Sequence, residues 1–165
     1  MRRFVLVVLA VGVVLLLGPP ASARNDAKHV FLPAFPVDLD PSFCGFPVHI
    51  DFPVDQEYGK SETLPDGTTA LHVNGRLVDV LSSPTTSITR NASGPGVLYF
   101  APDGTLTIVA RGLSIFPITA EQQAETGLPG LIYTRGLVVL RLNPDGSAEL
   151  IRQQGTLTSL CAELQ

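Results

Sequence analysis

Three near-copies of one turn are spaced along this chain: Pro65-Asp66-Gly67-Thr68, Pro102-Asp103-Gly104-Thr105 and Pro144-Asp145-Gly146-Ser147. Proline presets φ at the first corner, aspartate caps the turn with its side chain, and glycine takes the left-handed position. Turns of this kind reverse an extended chain onto itself, so they predict antiparallel hairpins. The second joins Val97–Ala101 to Thr105–Arg111, and the third joins Leu137–Leu142 to Ala148–Gln153. Their unequal spacing indicates a reused turn and not a solenoid repeat. Aspartate with glycine also occurs in calcium loops, but the ligand ladder of an EF-hand type loop is absent.

The rest of the chain reads the same way. Asn74-Gly75 is the strongest short-range hairpin signal, because both central turn residues need positive φ, and it predicts a hairpin between Thr69–Val73 and Arg76–Leu81. Val48–Phe52, Thr86–Asn91, Leu131–Thr134 and Thr156–Leu160 are further strands, for about eight or nine in all. The single predicted helix is short, Ala120–Thr126, with Thr119 as N-cap and Gly127 just past its end. Leu106, Ile108 and Ala110 alternate with Thr105, Thr107 and Arg111, as one buried face requires. Val97-Leu98-Tyr99-Phe100 and Leu137-Val138-Val139-Leu140 are apolar on both faces and call for a second layer. Charged residues are only 16% of the chain, against 15 Gly and 14 Pro, which suits short strands and tight turns. The expected fold is all-β: one antiparallel β-barrel-like or β-sandwich domain, nearer a barrel, with one short helix at most.

The N-terminus has a different character. Arg2 and Arg3 precede an apolar run from Val5 to Leu17, Gly18-Pro19-Pro20 break any helix, and Ala21-Ser22-Ala23 is a small-x-small cleavage site. A helix of that run reaches about 20 Å, short of the roughly 30 Å of a bilayer core, so a cleaved signal peptide of the general secretory route is expected, and not an anchor. The paired arginines lack the rest of a twin-arginine motif. The chain then divides into a signal peptide (1–23), an extended N-terminal arm (24–41) and a β domain (42–165). No cysteine stands at the new N-terminus to take a lipid, and Ser159 to Gln165 forms no hydrophobic tail, so the expected fate is release outside the cell with no membrane span after cleavage.

Cys44 and Cys161 are the only cysteines, and export puts them in an oxidising compartment. Only one intramolecular pairing is available to them. The alternatives, a reactive thiol or an intermolecular bridge, lack the basic setting that lowers a thiol pKa, since the neighbours are Phe43, Gly45, Leu160 and Ala162. The formal charge of −4 becomes more negative once Arg2 and Arg3 leave with the leader, which argues against nucleic acid and against a polybasic grip on anionic lipid.

No residue set reaches a catalytic or metal-binding signature, and no cofactor is expected. His29 lies in the arm. His49 and Asp51 share a strand face as a base–orienter pair would, but no third member can be named, and a surface contact is the plainer reading. His72 is read as a polar-face histidine. With both cysteines committed, too few ligands remain for zinc. Gly112-Leu113-Ser114 lacks the second glycine of a nucleophile elbow. Asp38 and Asp40, then Asp51, Asp55 and Glu57, offer carboxylates for glycoside hydrolysis or weak calcium binding, although a loop-rich, solvated setting is expected for them. Asn91-Ala92-Ser93 is a glycosylation sequon, meaningful only in a eukaryotic secretory pathway. Arg111, Arg135 and Arg141, with Tyr99 and Tyr133 near in pattern, are the candidate ligand residues: pointing into a barrel they would hold an anionic ligand, and otherwise they are exposed strand arginines.

Cys44-Gly45-Phe46-Pro47-Val48, Gly75-Arg76-Leu77, Asn91 to Gly96, Ala110 to Pro117 and Cys161-Ala162-Glu163-Leu164 together form a pattern. On it the chain resembles a group of small secreted actinobacterial proteins with a C-x-F-P-V start and a near-terminal Cys-Ala-x-Leu. The resemblance covers nearly all of the mature chain and implies one domain with Cys44 paired to Cys161. It carries over no catalytic residue.

The function these readings favour is a non-catalytic binding or interaction module that takes a small apolar or anionic ligand or a cell-surface protein. A cell-envelope structural protein is the first alternative, and a secreted hydrolase using Asp51, Asp55 and Glu57 with His49 is the second. When the full chain is expressed in a host with a general secretory pathway, N-terminal sequencing of released material should begin at Arg24. A product still starting at Met1 in the membrane fraction would identify an uncleaved anchor.

Overall fold

The computed structural model describes residues 29–165. The expected signal peptide and the start of the expected arm lie outside the described residues. Nine strands form one antiparallel sheet. In chain order the elements are β1 (Val30–Phe31), β2 (Val37–Leu39), α1 (Pro41–Cys44), β3 (Val48–Thr63), β4 (Thr69–Ser82), β5 (Ser87–Asn91), β6 (Gly96–Phe100), β7 (Leu106–Pro117), α2 (Ala120–Thr126), β8 (Leu131–Leu142), β9 (Ala148–Ser159) and α3 (Leu160–Glu163). The ladder runs β1-β3-β4-β6-β7-β8-β9, with β2 on β3 and β5 on β4. It has two ends, and among the described residues no pairing joins β9 back to β3, so the sheet does not close into a barrel.

The three Pro-Asp-Gly turns form as expected. Asp66, Asp103 and Asp145 each accept the backbone N–H two residues on, at 2.9, 2.8 and 3.0 Å, and Gly67, Gly104 and Gly146 hold φ of +86°, +89° and +89°. Those hydrogen bonds hold the Asp66 and Asp103 carboxyls below the ordinary carboxylate range, and the Ser147 hydroxyl, with its backbone N–H, does the same for Asp145. Helix α2 has the expected bounds, and Thr119 and Gln122 close a reciprocal capping box. Two single-turn helices, α1 and α3, carry the cysteines.

Asn74-Gly75 does not form a turn. It sits inside β4, where Asn74 and Gly75 pair with Tyr58 and Glu57 of β3. Both flanking segments have a stronger partner in β3 than in each other. A Cβ at position 75 would come within 2.2 Å of the Gln56 carbonyl oxygen, so the glycine serves close backbone approach. The arm also departs from expectation in its described part: β1 and β2 add to β3, and Leu39 is only 3% exposed in the core.

Strand β8 has a core on each face. Leu131 and Tyr133 pack with Leu39, Phe43, Val48, Ile50, Leu81, Leu160 and Leu164. Ile132, Val138 and Leu140 pack with Ile118 and Leu128 from the segments flanking α2. The first cluster brings the β3-β4-β5 end of the sheet over β7 and β8, where Leu113 and Ile115 join it. The Cys44–Cys161 disulfide closes this packing across a separation of 117 residues, with Cα atoms 5.2 Å apart.

One row of glycines marks where the sheet changes direction. Gly112 pairs with Gly136, and Gly136 pairs with Gly155, at φ of +83°, +131° and +111°. The β6–β7 ladder ends just before this row, at Gly96 and Ala110. A Cβ at Gly136 would lie 2.1 Å from the Gln154 carbonyl oxygen. Gly136→Ala should therefore lose about 2–4 kcal/mol in urea unfolding, through strain and backbone overlap. Gly127→Ala, at φ +70° with nothing within 4 Å, should lose only about 1 kcal/mol. Equal losses would show that the glycine row is not a packing constraint.

Candidate functional site: the open sheet face

Directly paired residues in an antiparallel ladder project from the same face, so the register builds this site. One row crosses six strands: Lys60, His72, Val97, Val109, Val139 and Arg152. The next row is Glu62, Ala70, Tyr99, Thr107, Arg141 and Glu149. Arg111, two residues from Val109, extends the same face and pairs with Leu137. At a strand spacing of about 4.8 Å the row spans roughly 24 Å.

This face carries an apolar floor with a basic margin. Val97, Val109, Val139, Tyr99 and Leu137 are half-buried and belong to neither core. The second layer expected over Val97–Phe100 and Leu137–Leu140 covers only part of them: Val138 and Leu140 lie under it, while Phe100 stays 41% exposed. The strand buried on both faces is instead Leu131–Thr134. A shallow groove of about 240 Å³ opens between His72, Pro95, Val97, Val109 and Arg111. Two of these side chains already have partners, His72 with Glu62 at 3.1 Å and Arg141 with Glu149 at 3.2 Å. Among the described residues Lys60, Arg111 and Arg152 make no ion pair.

The five candidate ligand residues therefore fall into two groups. Tyr99, Arg111 and Arg141 share the open face. Tyr133 and Arg135 lie beyond the glycine row, where the fold-back covers the strand. Tyr133 is a core residue whose hydroxyl donates to the Asn91 carbonyl at 2.9 Å. The guanidinium groups of Arg90 and Arg135 lie over its ring, at 6.0 and 5.6 Å from the centroid.

The acidic residues of the hydrolase alternative sit on a strand and not in a loop. The β3–β4 register slips between Asp51 and Val54, a bulge at Phe52-Pro53 where proline's missing N–H is tolerated. Asp51 pairs with Val80 before the bulge, whereas Asp55 pairs with Leu77 after it. The extra residue reverses the alternation, so His49 and Asp51 face one way and Asp55 and Glu57 the other. His49 lies between Asp38, at 2.7 Å, and Asp51, at 3.3 Å; the hydrogen bond to Asp38 is the main cause that raises its pKa. Asp55 accepts the Ala34 N–H at 2.7 Å. Burial, and then the charge of Asp55, pushes Glu57 up. Among the described residues no three His, Cys, Asp or Glu side chains are grouped to hold a metal, and no helix is long and apolar enough to cross a membrane.

Asp79 was missed by sequence reasoning. It is 3% exposed, and burial followed by the charge of Glu57 pushes its pKa to about 7. The signal was present in Leu77-Val78-Asp79-Val80-Leu81, where the aspartate keeps the phase of two apolar residues.

No family model, curated protein or solved structure matches this chain.

Asp79 has a definite thermodynamic sign. Its folded pKa, about 7, lies above the ordinary aspartate value of 3.8, so the native state binds the extra proton and stability falls as pH rises from about 4 to about 7. The full effect is of the order of 4 kcal/mol. Asp79→Asn should flatten that part of the pH dependence of unfolding and raise stability at mildly alkaline pH. An unchanged pH profile would show that Asp79 is already ionised at acid pH.

Proposed function

We propose that this protein is an exported, non-catalytic binding module that docks a protein partner at the cell surface through the open face of its sheet. The observation that carries this reading is the row Val97–Val109–Val139, partly exposed and framed by Lys60, Arg111, Arg141 and Arg152. An apolar centre within a charged rim is the anatomy of a protein–protein interface. The apolar residues of both cores cluster against one another, and the groove at His72, Val97, Val109 and Arg111 is open to the surface, which favours a surface role over carriage of an enclosed ligand. The disulfide, together with the secretory leader expected from the sequence, supports a role outside the cytoplasm. The bulge that turns His49 and Asp51 away from Asp55 and Glu57 weighs against the hydrolase alternative.

The test compares the labelled mature protein with its Val109→Glu and Arg111→Glu variants for binding to intact cells of the producing organism. Each substitution should weaken binding about tenfold or more while the melting temperature stays near the parent value. Equal binding by all three proteins would overturn the reading, and retention with the cell wall regardless of the variant would support the envelope-structural alternative.

A further inference from the structure

Asp79 Oδ1 is the one buried side-chain oxygen or nitrogen without a hydrogen-bond partner among the described residues. Directly across the β4–β5 ladder stands Arg90. Paired positions of this kind project from one face with β-carbons about 5 Å apart. Yet Arg90 is engaged elsewhere. Its guanidinium pairs with Glu163 on α3, donates to the Thr89 carbonyl at 2.9 Å and lies over the Tyr133 ring.

One cation thus has two carboxyl groups within the sweep of its side chain and uses one of them. The charged groups around Asp79 can be named from each element. Glu57, with Asp55 beside it, comes from β3 and opposes a second negative charge. Arg90 comes from β5, Glu163 from α3, and Arg135, whose guanidinium also lies over the Tyr133 ring, from β8. Arg90 is the only cation in this set aligned with Asp79 by strand pairing.

We propose that Arg90 is a two-position latch: it holds Glu163 while Asp79 keeps its proton, and moves to Asp79 when that proton passes to solvent. A buried carboxylate needs a partner that a buried carboxylic acid does not. Proton loss therefore draws the guanidinium inward and releases the Glu163 carboxylate to water. The movement is confined to the last turn of the chain, because Leu160 and Leu164 are fully buried and Cys161 is tied to Cys44. This device is independent of the proposed docking face.

The experiment is a pH titration of the mature protein by NMR, following the Arg90 side-chain Nε–H and the Glu163 backbone amide. Both should titrate together with a midpoint near 7. In Asp79→Asn, which is nearly isosteric, neither signal should move across neutral pH. In Glu163→Gln the competitor is gone, so the Arg90 midpoint should fall by about one pH unit, a tenfold shift in proton affinity. Flat Arg90 signals in the parent protein would overturn the proposal, as would an unchanged midpoint in Glu163→Gln. Persistence of the titration in Asp79→Asn would assign the proton to another group and overturn it equally.

Discussion

The rest of the structure depends on the packing of Leu131 and Tyr133 in β8 against Ile50 and Leu81 in β3 and β4. These strands are not neighbours in the ladder, so their contact is what converts a long twisted sheet into a folded-over domain. The helices that carry the cysteines bring Phe43 and Leu160 into the same cluster. The disulfide therefore ties the two ends of the fold where apolar burial already brings them together. In the chain-entropy account, closing so long a loop removes roughly 4 to 5 kcal/mol of unfolded-state freedom.

That contact also decides what stays open. Because the fold-back covers β7 and β8 only beyond the glycine row, the same strand face is core at Tyr133 and partly exposed at Val139. One set of alternating residues thus serves stability at one end and leaves a surface at the other. Tyr133 and Tyr99 illustrate the division: one is a core residue with two guanidinium groups over its ring, and the other lies on an open row beside Thr107 and Arg141. The latch around Asp79 sits at the border of the same cluster, since Asp79 keeps the phase of Leu77 and Leu81.

Much of this was legible in the chain. The Pro-Asp-Gly turns carry their own geometry, and helix α2 announced itself by its capping residues, because the interactions that define them are local. Long-range choices were not legible in the same way. Asn74-Gly75 has every local property of a hairpin turn, yet β3 offers both of its flanks a longer partner. The expected strands Thr105–Arg111, Leu131–Thr134 and Ala148–Gln153 stop beside Gly112, Gly136 and Gly155, whereas the strands of the structure continue through these glycines. Of the candidate ligand residues, Tyr99, Arg111 and Arg141 share the open face, whereas Tyr133 and Arg135 do not. The valines that form its floor carry no motif, and only register aligns them.

By itself, then, the sequence determined an all-β chain of antiparallel hairpins, with turns, a short helix and one possible intramolecular disulfide. These follow from backbone preferences and from counting, which need no knowledge of distant contacts. Only the tertiary structure decided which face of each strand is covered, how far the arm joins the sheet, and that a single extra residue at Phe52-Pro53 turns Asp51 and Asp55 to opposite sides. The physical reason is the two-residue period of a strand. A bulge or a shift in register reverses every side chain beyond it, and that choice is made by partners far away in the chain.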